Sequence, residues 1–395
     1  MDDIHVRAQS ACDRILVSAK KNRFLGYDPY DALNSVLFQK TPLADSRLCR
    51  LAWTQLNKRF PVSLRKLVGI PGHTNPKCLA LFLSGVTDLM RAGKEPSARE
   101  SCIELARMLE RSTKTGYSGA CWGYPFAWQA RAFFLPLDTP TVVATTYVGN
   151  ALLDAHQVLG DDHWLQLARS ACEFILRDLN RNRNGDGICF SYSPIDRSVV
   201  HNASILGARL LARVAGETGE AELLETAMSA ARFTVSHQRV DGAWGYGTAG
   251  YQKWVDNFHT GFLLECLSDC HRISGEEWLS ESLCRGFDYY RRHLFLEDGQ
   301  ARYFDNSTFP LDAHAFAQAL VTLTKLDDGG DDFGLAKRVA ACAFKCLWHP
   351  AGYFCYQQTR LYRNQIKYLR WADAWMFRGL ASLVSQGTPN SGDTD

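Results

Sequence analysis

The chain has little of what marks most function classes. Its 395 residues carry 44 Lys and Arg against 42 Asp and Glu, a net charge of +2. So even a balance leaves no electrostatic footprint for nucleic acid or for an acidic membrane. No run of about 18 uninterrupted apolar residues occurs, so no membrane-spanning helix is expected. The opening residues, Met1-Asp2-Asp3-Ile4-His5, are acidic and lack the apolar stretch of a secretory leader. A cytoplasmic protein is expected, attached to any membrane assembly only through protein partners. There is no Walker phosphate loop, no Gly-x-Ser-x-Gly elbow and no Asp-x-Asp-Asp run. The thirteen Cys show no framework of short spacings, which suits reduced, buried thiols. Cys266/Cys270 and Cys342/Cys346 are i, i+4 pairs, but no second ligand pair follows. Helix packing explains them better than zinc, and no metal or other cofactor is expected. Strand-like alternation is also scarce, which points to a nearly all-α protein.

What the chain does have is a recurring loop phrase. Asp-Gly leads through one or two aromatics into a long helix, and the phrase returns about every 55 residues. Copies begin at Asp186-Gly187 (then Phe190, Tyr192), Asp241-Gly242 (Trp244, Tyr246) and Asp298-Gly299 (Tyr303, Phe304). A degenerate copy stands at Gly352 (Tyr353, Phe354, Tyr356), and Trp122-Gly123-Tyr124-Pro125-Phe126 is an earlier relative. A fixed period means one supersecondary unit used repeatedly, and such units cannot bury their apolar faces singly.

The helical patterns fall in pairs. Residues of about 2–22 and 44–60 read as an N-terminal pair. Then come about 74–92 with 97–111, 140–158 with 162–179, 201–215 with 220–237, 257–273 with 276–294, and 312–325 with 332–347, before a last helix near 371–385. Val142 to Tyr147 is rich in β-formers, but its apolar spacing continues at helical period, so it reads as a helix start. Gly160, Gly216, Gly219 and Gly275 are expected in tight turns within pairs. In each pair the first helix is small and apolar all round and the second is amphipathic, so the first is buried beneath the second. Six inner helices ringed by outer ones make an (α/α)6 barrel, with short hairpin-like aromatic loops lining a funnel at one end. The expectation is one toroid over 1–386, with N-terminal helices in 1–70 and repeats in 74–386, then a disordered polar tail, 387–395.

Unusual polar residues gather where inner helices begin. Trp122, Tyr124, Trp128 and Arg131 lie in one loop. Tyr192, His201 and Asn202 follow the next, and Trp244, Tyr246, Trp254, Asp256, Asn257 and His259 follow the third. Asp312 and His314 come later, then Arg370 and Asp373. Each has an ordinary explanation: Asp and Asn cap helices, Trp fills cores, and Asp186, Asp241 and Asp298 are turn residues. Their return at one register argues for a shared basin. Aromatic faces stack on sugar C–H faces, while Asp, Asn, Arg and His bind hydroxyls and carboxylates.

The phrase Trp122 to Arg131, followed by Thr139-Pro140-Thr141, resembles the VpsJ-type proteins of bacterial exopolysaccharide and capsule loci. Asp256-Asn257-Phe258-His259-Thr260-Gly261 and Arg370-Trp371-Ala372-Asp373 fit the same family. The resemblance spans about residues 75–385 and implies an α/α toroid acting in polysaccharide production. It hands over no catalytic roles.

The leading expectation is cleavage of glycosidic bonds in an oligo- or polysaccharide. Asp256 and Asp312 would be the acid/base pair, with Asp373 in reserve. His201, His259 and Arg131 would position substrate, and Trp122, Trp128, Trp244 and Trp254 would stack on sugar rings. Tyr124, Tyr192, Asn202, Tyr246, Asn257, His314 and Arg370 complete the expected binding set. Two alternatives stand beside it. One is a uronate lyase or sugar epimerase with His259 or His201 as base and a Tyr as acid. The other is a glycan-binding scaffold without catalysis.

Overall fold

A computed structural model describes residues 3–94, 97–131, 133–327 and 331–386. The expected disordered tail, 387–395, lies outside the described residues. The chain opens with helix α1 (Asp3–Lys21), the short α2 (Val36–Gln39) and α3 (Arg47–Arg59). Helix pairs follow: α4 (Pro76–Arg91) with α5 (Ala98–Arg111), α6 (Val142–Leu159) with α7 (Asp162–Arg177), and α8 (His201–Thr218) with α9 (Ala221–Ser236). Then come α10 (Asn257–Ser274) with α11 (Glu277–His293), α12 (Ala313–Lys325) with α13 (Asp332–Leu347), and the last helix, α14 (Trp375–Gln386). Each of α4, α6, α8, α10, α12 and α14 packs on the next, and α14 returns to α4, so the inner ring closes. This is an (α/α)6 toroid.

Local chemistry places these helices. The Asn75, Thr141, Asp256 and Asp312 side chains accept from backbone amides of the first turns of α4, α6, α10 and α12. Gly160, Gly219 and Gly275 stop α6, α8 and α10 in left-handed conformation, and the outer helix restarts within two residues. Gly216 is instead inside α8, because the helix continues to Thr218. Inner helices are buried nearly all round, and the outer ones bury one stripe. In α7 that stripe is Trp164, Ala168, Ala171, Cys172, Phe174 and Ile175.

One expected pairing is wrong. Helix α1 does not pack on α3. It lies against α14 and α13 and serves as the sixth outer helix. Its buried stripe of Ala8, Ala11, Cys12, Ile15, Leu16 and Ala19 covers the one inner helix whose outer partner does not follow it in sequence. Helix α3 packs on the 3-10 turn Asp31–Asn34 and on the loop strand β1 (Trp128–Gln129), so it caps the loop end of the ring.

The long loops hold short antiparallel pieces: β1 with β2 (Phe134–Leu135), and β3 (Arg181–Asn184) with β4 (Gly187–Phe190). Further on are β5 (Leu311–Asp312), β6 (Trp348–His349) paired with β7 (Tyr353–Phe354), and β8 (Gln357–Gln358), which joins β5 to β9 (Arg363–Asn364). The glycine of the repeated phrase is steric. A Cβ on Gly242, whose φ is +93°, would stand 2.3 Å from the Arg285 carbonyl oxygen of α11. On Gly187 it would stand 2.9 Å from the Phe233 Cα of α9. Each loop therefore lies flat on the neighbouring outer helix.

Candidate functional site

Inner helices begin at the loop end, so their first turns decide what faces the axis. Successive helical residues rotate by about 100°. One residue therefore separates a side chain aimed at the outer helices from one aimed inward. The first residues of α8 and α10 point outward. The His201 ring packs on Phe233 of α9 and on His237 just past its end. Burial, then His237, pulls its pKa down to about 4. Asn257 accepts from Tyr290 Oη at 2.8 Å and donates to the Leu294 carbonyl. Neither lines the funnel. The second residues turn the other way: Lys77 sits over Tyr147 of α6, Asn202 lines a cavity with His259, and His314 stacks on Phe258 and Trp375.

The centre of the site is the pair Asp256 and His259. Asp256 caps α10 through one oxygen, 2.8 Å from the His259 amide. Its other oxygen lies 2.6 Å from His259 Nδ1. Both carboxylate oxygens are therefore engaged, and the side chain of Asp256 is only 1% exposed. The His259 side chain is 20% exposed. With Nδ1 held by the carboxylate, Nε2 is the nitrogen left for a ligand. Tyr246 stands edge-on to the imidazole at 4.7 Å and stacks on Trp254 at 4.4 Å. Burial, then Asp256, pushes the Tyr246 phenol upward, so it stays protonated. Asn202, Trp244, Tyr246, Trp254, Asp256 and His259 line a cavity of about 10 Å³, the size of one water. Among the described residues the buried Asn202 Oδ1 has no hydrogen-bond partner.

Other expected site residues belong to the walls. Asp312 is sealed at 0% exposure. It accepts from Trp371 Nε1 at 3.0 Å, Gln357 Nε2 at 2.5 Å and the His314 amide at 2.8 Å. Burial outweighs these donors and raises its pKa to about 6. Asp373 is sealed in the same way, accepting from the Phe354 amide and facing Lys367, and burial lifts it to about 6. Neither carboxyl offers a free oxygen to a sugar. Trp122 and Trp244 are core residues whose indoles donate to the carbonyls of Leu109 and Thr234, near the ends of α5 and α9. Arg131 is exposed on the rim.

A continuous aromatic wall remains. Trp128 contacts Tyr30, Phe133 and Tyr192, and Tyr30 contacts Trp371. His314 is stacked between Phe258 at 4.4 Å and Trp375 at 4.2 Å. Burial first, and Lys77 next, hold His314 neutral. Burial pushes the Tyr124 and Tyr192 phenols upward. Arg370 is tied to Asp28 through two nitrogens, one at 2.9 Å. Burial raises the Asp28 carboxyl, but the guanidinium pulls it below the usual carboxylate range.

Sequence reasoning passed over Tyr30, Asp28, Lys58, whose Nζ donates to Tyr30 Oη at 2.7 Å, and Lys77. The first three come from the segment that caps the ring, and no repeat points to them. Lys77 was findable, since Asn75-Pro76 is a helix-start signal that puts it at the same register as Asn202 and His314. Gly245, Gly247 and Gly250 also stand at dinucleotide-fingerprint spacing, but they run through a repeat loop into a 3-10 turn, not from a strand into a helix. Cys266 and Cys270 are fully packed within α10.

No family model and no curated protein matches the chain. Solved structures do. An unsaturated glucuronyl hydrolase specific for heparin superposes with a TM-score of 0.64 at 13% identity, covering 97% of each chain. The cellobiose 2-epimerase of Spirochaeta thermophila gives 0.59 at 14%, covering 78% of this chain and 86% of its own. An α-mannanase of Bacteroides thetaiotaomicron gives 0.60 at 12%, covering 78% and 86%. At such identities the likeness shows the α/α toroid and nothing finer.

Proposed function

We propose that the protein is a sugar-processing enzyme that moves a proton at a carbon beside a carbonyl group, with His259 as the base. The observation that carries this is the Asp256–His259 contact of 2.6 Å beneath a part-exposed imidazole. A carboxylate on Nδ1 fixes the tautomer, aims Nε2 at the funnel and stabilises the imidazolium once a proton arrives. Tyr246, kept protonated, is placed to return a proton or to hydrogen-bond a developing oxyanion. Trp254, Trp128 and Tyr30 offer ring faces to sugar C–H groups.

Return of the proton to the sugar gives epimerisation or isomerisation. Loss of a β-linked leaving group instead gives cleavage by elimination. Two-carboxylate hydrolysis has less support, because Asp312 is sealed and both Asp256 oxygens are engaged. The solved neighbours include a glucuronyl hydrolase, an epimerase and a mannanase, so a saccharide substrate fits this fold. A role in exopolysaccharide or capsule production rests on the Trp122–Arg131 phrase. Attachment to a membrane assembly would need protein partners, since no helix among the described residues is long and apolar enough to cross a membrane.

The test is turnover in D2O of a panel of aldoses, disaccharides and uronates, read by mass spectrometry. Products should gain deuterium at the carbon next to the carbonyl, and His259→Asn should lower the rate at least about 100-fold, as loss of a general base does. Product without solvent deuterium, or full activity in the Asn variant, refutes the proposal. Sugar binding with no turnover by any panel member would favour the scaffold reading.

A further inference from the structure

The first turn of α4 carries a lysine that the proposed proton transfer does not use. We infer that Lys77 is the carboxylate-binding residue of a subsite for acidic sugars, which names the substrate class and rests on the proposed proton transfer. Lys77 is only 3% exposed. Its Nζ stands 4.0 Å from the Tyr147 ring centre, 5.2 Å from that of Trp375 and 5.3 Å from that of Phe262. Among the described residues it has no hydrogen-bond or carboxylate partner. Asp28, the acid whose charge reaches Lys77, is taken by Arg370. His314 lies alongside, both its ring nitrogens buried and without a hydrogen-bond partner among the described residues.

Buried polar groups are normally satisfied, and a buried cation normally has a counter-ion. Three ring faces attract an ammonium but do not neutralise it. Burial, then Arg370, pushes the Lys77 pKa well down, and only Asp28 opposes them. A carboxylate entering here supplies the missing charge and the missing acceptors together.

The location suits the chemistry. The Phe262 ring that faces Lys77 also contacts the His259 ring at 5.7 Å, so base and cation share one wall. In a uronate the carbon bearing the carboxylate gives its proton to His259 Nε2. The C–H electron pair moves into the carboxylate as an enolate, and the charge that builds there is what an ammonium stabilises. The pair then either takes a proton from Tyr246 on the opposite face, giving the epimer, or expels the β oxygen, which takes the Tyr246 proton as it leaves.

The test is titration of the intact protein with D-glucuronate, D-glucose and D-glucose 6-phosphate under one set of conditions. Glucuronate should bind at least 10-fold more tightly than glucose and more tightly than the phosphate. Lys77→Met should erase the preference, with its melting temperature recorded beside the wild type, and Lys77→Arg should keep most of it. The wild-type comparison stands even if the Met variant does not fold. Equal binding of glucuronate and glucose, tighter binding of the phosphate, no measurable glucuronate binding, or a preference that survives Lys77→Met each overturns the assignment. Deuterium exchange into a neutral aldose without any uronate preference would sink this inference alone. Absence of His259-dependent exchange with every sugar sinks the proposed function instead.

Discussion

At the scale of single residues, His201 shows how one position in a helix changes a role. It sits at the first residue of α8, where the side chain turns toward α9, while Asn202 beside it faces the cavity. Sequence made both equivalent, because a repeat fixes register along the chain and not rotation about a helix axis. The outward placement has a measurable consequence. The folded pKa of His201 is about 4 against 6.5 for the free side chain. Between those values the unfolded chain binds the extra proton, so stability is lost as pH falls through this window. The loss is on the order of 3 kcal/mol. Asp312 and Asp373, both raised to about 6, act in the opposite sense, since the native state binds the extra protons between 3.8 and 6. Wild-type stability therefore mixes opposed terms, and the difference between wild type and His201→Phe isolates one of them. That difference should shift in favour of the variant by roughly 3 kcal/mol between pH 7 and pH 4 in denaturant titrations. A pH-independent difference would contradict the buried, neutral imidazole.

At the scale of elements, much of the fold was legible. Helix pairs, short Gly-capped turns and aromatic returns could be read from spacing and from cap residues such as Thr141, Asp256 and Gly275. The site was legible only in part. Asp256, His259, Tyr246 and Trp254 do meet, but Trp122 and Trp244 turned out to hold the loops down through their indole donors. An aromatic that recurs because every repeat must staple its loop looks, in sequence, like one that recurs to bind ligand. The Asp-Gly signal belongs to the same stapling. Gly242→Ala forces a Cβ onto the Arg285 carbonyl at a φ of +93°. Strain of this kind costs about 1–3 kcal/mol. A loss of unfolding free energy of that size is expected in urea titrations, with sugar binding retained wherever the variant is folded. Gly250→Ala, where nothing lies within 4 Å of the added Cβ, is the matched control and should change little.

At the scale of the whole molecule, the ring closes through the chain's beginning and not its end. Among the described residues no helix follows α14, and α1, more than 350 residues earlier by numbering, packs on it in the outer position. The Cys12 thiol donates to the Phe377 carbonyl, and Lys367 Nζ donates to Ser18 Oγ. A periodicity search sees units that follow one another, and closure between the two ends leaves no trace in spacing, which is why α1 was read with α3. The two arrangements predict different unfolding. In a separate N-terminal unit, damage to α1 would produce its own early transition and spare the barrel. In a closed toroid the same damage weakens the seam that holds α14, and the whole molecule moves together. Ile15→Ala removes a side chain at 1% exposure from that seam. The expected loss is about 2–5 kcal/mol. Val17→Ala, at 66% exposure on the same helix, should change stability by less than about 0.5 kcal/mol. Circular dichroism and tryptophan fluorescence should then report one coincident, shifted transition for Ile15→Ala. Two separated transitions, with the tryptophan-rich barrel melting at its wild-type midpoint, would return α1 to an independent N-terminal unit.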